Sequence, residues 1–200
     1  MKNIHKYLGL VMLLPFIAWT ITGIFFFLKP GYKVAYQALP ITQYPLQALV
    51  HLPEHQKWLE VRQLKTILGA HVLVKNDQGW QQLSPVTFQP IEKANQQQIT
   101  QLINDAIKHN RERYGEIAKI EENVITTNNN IRITLDWHNL SLHQKGADTD
   151  FINTMYSIHY LQWTGVKSID KFLGVIGLLL VTLLAIFGLL MSLKKKPDSQ

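Results

Sequence analysis

The sequence predicts a membrane protein of two transmembrane helices with an inserted α+β domain, an antiparallel sheet plus a helix, held outside the cytoplasm. Three observations lead there. Residues Leu8–Leu28 and Phe172–Leu193 carry no charged side chain. The long stretch between them is polar and punctuated by strand and helix patterns. Lysines flank the two apolar runs on one common side, Lys2 and Lys6 before the first and Lys194, Lys195 and Lys196 after the second.

Each apolar run has the length of about twenty residues needed to cross roughly 30 Å of hydrocarbon as a helix. In lipid every backbone polar group must be satisfied within the segment, so both runs are expected to be helical, with Pro15 tolerated in the first. A cleaved signal peptide is the rival reading of the first run. The run is longer than the roughly 7–15 residues of a signal core, and Phe25-Phe26-Phe27-Leu28-Lys29-Pro30 offers no small-residue cleavage site. The lysine flanks place both termini in the cytoplasm by the positive-inside rule. Lys29, Lys33, Lys167 and Lys171 at the opposite ends weaken this asymmetry without reversing it.

The expected organisation is therefore a cytoplasmic N-terminus at 1–7, a first span at 8–28, and an extracytoplasmic α+β domain at 29–150. An amphipathic helix at 151–165, a second span with its lead-in at 166–193 and a cytoplasmic tail at 194–200 follow. The net charge of +6 suggests nucleic acid at first sight. Five of those positive charges are the membrane flanks and the middle is mixed in sign, so no nucleic-acid surface is expected. The chain has no cysteine. That excludes disulfides, thiolate metal sites and covalent haem attachment, so any haem is bound non-covalently, with haem b the expected cofactor.

Within the middle, residues 30–45 read as a loop leaving the membrane. Trp58, Val61, Leu64 and Leu68 fit either a helix or a strand. Ala70–Lys75, Asn76-Asp77-Gln78-Gly79 and Trp80–Leu83 read as a hairpin with its glycine at the turn. Val86–Ile91, bounded by Pro85 and Pro90, reads as a further short strand. Asn95 is a suitable N-cap for a helix to about Arg113, stopped by Gly115, with Ile99, Leu102, Ile103 and Ala106 on one face. Ile117–Thr126 and Ile131–Trp137 read as strands joined by Thr127-Asn128-Asn129-Asn130, the second alternating Ile131, Ile133, Leu135 and Trp137 with polar residues. Asp148 to Asp150 then cap the helix carrying Phe151, Ile152, Met155, Ile158 and Leu161.

No nucleophile motif, phosphate loop, zinc-binding signature or paired-carboxylate pattern is present, which sets aside a protease. What the chain offers is histidine at the membrane edges. His5 opens the first span and His159 precedes the second. Neutral imidazole ligates haem or metal and carries protons, and polar residues at membrane edges are candidate functional sites. The plain alternative is an interfacial amphipathic side chain, like Tyr7, Tyr160 and Trp163. His5 and His159 are expected on opposite faces, too far apart to clamp one haem. Paired histidine ligation on the cytoplasmic side then requires His5 from a second copy, a two-fold homodimer, and Gly9, Gly23, Gly174, Gly177 and Gly188 permit close helix approach. In the domain, His51 and His55 are spaced for a metal only if helical, which Pro53 opposes. His138 and His143, past a strand end, form a second weak metal candidate. His71 and His109 read as surface residues.

At these flanking motifs the chain resembles the PepSY-associated transmembrane family. His5-Lys6-Tyr7-Leu8-Gly9-Leu10 with Thr20-Ile21-Thr22-Gly23 is similar to the family's opening helix. Ile158-His159 with Gly165, Leu173-Gly174 and Phe187-Gly188-Leu189 is similar to its later histidine-bearing helix. Larger relatives have four spans and periplasmic PepSY modules, and some are haem-bearing reductases of ferric siderophores. The resemblance implies a small bacterial inner-membrane protein, with residues 29–171 periplasmic, that reduces ferric iron for uptake through haem held by His5 and His159. No flavin or nicotinamide fingerprint is present, so electrons are expected from quinol or a partner, with a ferrous-iron uptake system as associate. This chain departs from the pattern in a middle that matches PepSY poorly and in having two spans, and the missing spans, which leave the electron path within one chain incomplete, are a second reason to expect a dimer. The competing expectation is a non-enzymatic, membrane-tethered regulator or assembly factor.

Overall fold

A computed structural model describes residues 2–51, 53, 57–91 and 93–193. In chain order the elements are α1 (Lys2–Leu28), α2 (Tyr32–Ala35), β1 (Glu60–Thr66), β2 (Gly69–Asn76), β3 (Gly79–Leu83) and α3 (Gln96–Ile107). A 3-10 turn (Lys108–Asn110) leads into α4 (Arg111–Tyr114). Then come β4 (Ile117–Glu121), β5 (Val124–Thr127), β6 (Arg132–Asp136), β7 (Ser141–Lys145), α5 (Ala147–His159) and α6 (Lys167–Leu193). The fold class is the expected one, two long apolar terminal helices with an α+β domain between them. The chain divides into two compact units, residues 1–32 with 150–200, and residues 33–149.

In the first unit α1 and α6 are each 27 residues long, about 40 Å at 1.5 Å per residue and ample for a membrane. Their apolar side chains face outward, with Leu10 69%, Phe27 87% and Leu178 65% exposed. In water such a surface would be costly; in lipid it needs no partner. The two helices run antiparallel. A Cβ placed on Gly9 would lie 3.9 Å from Leu184, one on Gly177 3.7 Å from Trp19 and one on Gly188 3.6 Å from His5. α1 begins at Lys2 rather than at Leu8, so His5 lies within the helix. Lys194, Lys195 and Lys196 lie outside the described residues.

The second unit has two antiparallel sheets, β1-β2-β3 and β4-β5-β6-β7. Helix α3 begins with a reciprocal capping box: Gln98 N–H donates to Asn95 Oδ1 and Asn95 N–H to Gln98 Oε1, each at 2.9 Å. Its Ile99, Leu102, Ile103 and Ile107 are buried with Leu73, Ile125, Ile133 and Leu135 from the sheets. On the other face of β2, Val72 and Val74 pack with Leu83. A strand covered on both faces reads as a continuous apolar run, which explains His71-Val72-Leu73-Val74.

Several expectations change. The ambiguous segment around Val61 is a strand, β1, paired with β2 in register from Glu60↔Lys75 to Thr66↔Gly69. Val86–Ile91 is not a strand. Ser84 Oγ accepts from the N–H groups of Val86 and Thr87, Phe88 takes φ 56°, and Pro90 makes only one bridge, to Leu83. A serine offering its backbone this local alternative competes with a ladder. Ile117–Thr126 is a hairpin rather than one strand, because Glu122 at φ 53° reverses the chain between β4 and β5. The helix from Asn95 runs on to Tyr114 but loosens through the 3-10 turn before Gly115 stops it. Helix α5 starts at Ala147 and ends at His159, several residues ahead of the expected 151–165. Its start is set by Thr149, whose hydroxyl accepts from Gly146 N–H at 2.7 Å, and φ 55° at Leu161 keeps the chain from continuing.

Candidate functional site

His159 is the last residue of α5, and the structure packs it against α1 within the first unit. Its carbonyl oxygen accepts from Trp19 Nε1 at 2.7 Å, and its ring nitrogen Nδ1 lies 2.8 Å from Thr22 Oγ1. Phe26 meets the imidazole edge-on at a centroid distance of 5.1 Å. Trp19, Thr22 and Phe26 are three and four residues apart, so one face of α1 presents all three. The imidazole is thus level with the last two turns of the first span rather than beyond its end.

The partners of Thr22 limit how the hydroxyl and the imidazole share their protons. Thr22 Oγ1 is also 2.7 Å from the carbonyl oxygen of Ala18 and 3.3 Å from that of Trp19. A carbonyl only accepts, so when the single hydroxyl proton goes to Ala18 the hydroxyl oxygen accepts from Nδ1–H of His159, and Nε2 keeps its lone pair. In the opposite tautomer the hydroxyl donates to Nδ1 and Nε2 carries the proton. A ligating histidine has the first of these arrangements: one nitrogen fixed by a hydrogen bond, the other available. Thr22 is 1% exposed, so water does not compete for these bonds.

His5 sits near the other end of α1, seventeen residues from Thr22, which is about 26 Å along the helix. Its ring lies against α6 at Gly188, and its Nδ1 is buried with no hydrogen-bond partner among the described residues. A buried, unpaired ring nitrogen is costly unless something satisfies it. The structure therefore separates His5 and His159, as the sequence led one to expect, and one haem cannot take both.

The domain histidines are not brought together. Among the described residues no group of three or more His, Cys, Asp or Glu side chains is placed to hold a metal. His51 is exposed, and His55 lies outside the described residues. His138 is exposed in the β6–β7 turn, where its N–H donates to Asp136 Oδ1 at 3.0 Å. His143 is not in a loop; it belongs to β7 opposite Thr134, with its side chain exposed. Strand β7 went unseen because Ser141-Leu142-His143-Gln144-Lys145 has one apolar residue and no alternation to betray it.

His71 overturns its surface reading. It is 5% exposed, its Nε2 lies 2.7 Å from Thr66 Oγ1, and Trp137 meets its ring edge-on. Burial lowers its pKa from 6.5 to about 4. A buried neutral histidine bonded within a hairpin is a structural group, and nothing here aims it at a ligand.

With the two histidine sites placed, the family can be stated. The model of the PepSY-associated TM region matches residues 1–195. The chain belongs to that family. The match runs through the middle of this PepSY-associated chain as well as the two ends where the resembling motifs lie. No curated protein matches it, and no solved structure does. Thr22 entered the sequence reading only as part of a motif, and Trp19 not at all. Their role rests on a contact 137 and 140 residues away in the chain, and no local pattern announces such a contact.

Proposed function

We propose that this PepSY-associated protein is a haem-carrying electron-transfer protein of the bacterial inner membrane that reduces ferric iron, free or siderophore-bound, for uptake. The observation that carries the reading is His159, held through Nδ1 by Thr22 with Nε2 left over. The chain's own residues suit a non-covalent haem b in three respects. There is no thiol to attach it. A bond from Nδ1–H of His159 to Thr22 would leave Nε2 for ligation. His5 has a buried ring nitrogen without a partner among the described residues. When bound, haem supplies one-electron chemistry at its iron, and the protein supplies ligation, orientation and a low-dielectric surround.

In this reading His159 is a ligand toward one face of the membrane and His5 toward the other. The sequence offers His5 no second histidine on the cytoplasmic side, which favours a homodimer in which two copies contribute. The lysine flanks favour both termini in the cytoplasm and residues 29–171 in the periplasm, where ferric iron arrives. Quinol or a partner protein is the electron source, and a ferrous-iron uptake system is the natural acceptor of the product.

The test is an absorption spectrum of detergent-purified protein from haem-replete cells. A Soret band that shifts on dithionite reduction supports the reading. Colourless protein replaces it with a membrane-tethered regulator or assembly factor.

A further inference from the structure

We propose that a groove in the membrane-spanning unit, whose wall includes His159, is a binding site for an anionic phospholipid. The groove, about 1000 Å³, lies between the turn that follows α5 and one stripe of α6, with Trp19 of α1 also in its wall. Lys167, Lys171, Gly174 and Leu178 fall on that stripe at three- and four-residue steps, so they share one face of the helix. Lys167 and Lys171 stand one helical turn apart at the end nearest the start of α6, and Gly174, Val175 and Leu178 carry the wall onward.

The charge comes first. Neither amine has an ion-pair partner among the described residues. Asp170 is turned back onto the preceding turn, where Oδ1 accepts from the Thr164 N–H at 3.0 Å and the Thr164 hydroxyl at 2.7 Å. The mouth therefore offers two cations side by side, each with its donors unspent.

Polarity then changes along the groove. From Lys167 to Leu178 is eleven residues, about 16 Å of helix. Over that distance the lining passes from two ammonium groups to Val175 and Leu178, 52% and 65% exposed. At Gly174 a Cβ would stand 3.7 Å from the Tyr160 carbonyl oxygen, so a larger side chain there would fill the groove's floor. A soluble anion would meet the amines but leave the apolar part unoccupied. A zwitterionic lipid would fill the apolar part but bring its own cation to the lysines. A phospholipid of net negative charge satisfies both ends.

The experiment places the full chain in nanodiscs of phosphatidylcholine with a minor fraction of phosphatidylglycerol and counts retained lipid by native mass spectrometry. Preferential retention of phosphatidylglycerol is expected. Attraction near a membrane surface is worth roughly five-fold per lysine, so Lys167→Gln with Lys171→Gln should lower retention about 25-fold. Leu178→Trp should lower it with both amines intact, because it fills the apolar foot. Lys2→Gln with Lys6→Gln, which removes charge at the other end of α1, should leave it unchanged. The proposal is overturned if phosphatidylglycerol is not preferred, if the Lys2/Lys6 pair matters as much as the Lys167/Lys171 pair, or if Leu178→Trp has no effect.

Discussion

Thr22 Oγ1 lies 2.8 Å from His159 Nδ1 and 2.7 Å from the Ala18 carbonyl oxygen, so one hydroxyl holds the ring of an imidazole 137 residues away. Everything proposed for His159 depends on this pairing, and it can be removed without touching the histidine.

Thr22→Val deletes the acceptor and should release His159 into a mixture of tautomers. Thr22→Ser keeps the hydroxyl and should restore the wild-type state. The readout is the ¹⁵N chemical shifts of the His159 ring in detergent-solubilised apo-protein. Loss of one buried hydrogen bond in Thr22→Val should cost about 1 kcal/mol of stability. Identical ring shifts in wild type and Thr22→Val would show that Thr22 does not hold the tautomer.

His71 makes the domain sensitive to mild acid. Its folded pKa of about 4 lies below the unfolded value of 6.5, so the unfolded chain binds the proton first. Stability is full above pH 6.5 and falls as pH drops from 6.5 towards 4. The total loss is on the order of 3 kcal/mol, taking 1.36 kcal/mol per pH unit. Urea melts of the domain signal between pH 7 and 4 should show this slope, and His71→Gln should flatten it.

Asp105 should make the domain sensitive to acid. It is 8% exposed, and Oδ1 accepts from Lys108 Nζ at 2.6 Å and Tyr44 OH at 2.8 Å. Burial pushes its carboxyl up, but the bonds from Lys108 and Tyr44 outweigh that and hold it below the ordinary carboxylate range. Its contribution is present above that range and is lost as pH falls through the lowered value. Asp105→Ala should cost about 1–3 kcal/mol by stranding the Tyr44 hydroxyl. Lys108→Ala, removing the exposed partner, should cost less in the same denaturant melts.

The parts legible in the sequence were those with a strong local signature. The two spans needed only uncharged length, and helix α3 announced itself through Asn95 and the Ile99–Leu102–Ile103 face. The Ala70–Leu83 hairpin was marked by Gly79. What stayed hidden depended on distant partners. His71 looks polar and exposed until β1 closes over it and Thr66 takes its Nε2. Glu122 gives no hint of the left-handed turn that splits β4 from β5. The histidines at the membrane edges could be found by residue type, whereas Trp19 and Thr22 became meaningful only when α5 packed onto α1.

Gly146 is a position where a side chain would force its neighbours to shift. A Cβ there would overlap Ile131 Cδ1 and stand 2.9 Å from Asp148 Oδ1, whose carboxylate is tied to Arg113 at 2.8 Å. Gly146→Ala should destabilise the domain by about 1–3 kcal/mol, the usual range for overpacking. Thermal melts should show the loss, with the apolar helices still inserted in the membrane fraction.

The most direct test of the central claim is the haem-to-protein ratio of purified wild type, His5→Ala and His159→Ala, compared at equal amounts of inserted protein. Haem bound by these imidazoles gives a ratio that falls in both variants while protein levels hold, because an imidazole lost at a membrane edge leaves little cavity. His51→Ala and His138→Ala, on exposed side chains, should leave the ratio at the wild-type value. A wild-type ratio in both His5→Ala and His159→Ala would contradict the haem-ligand assignment.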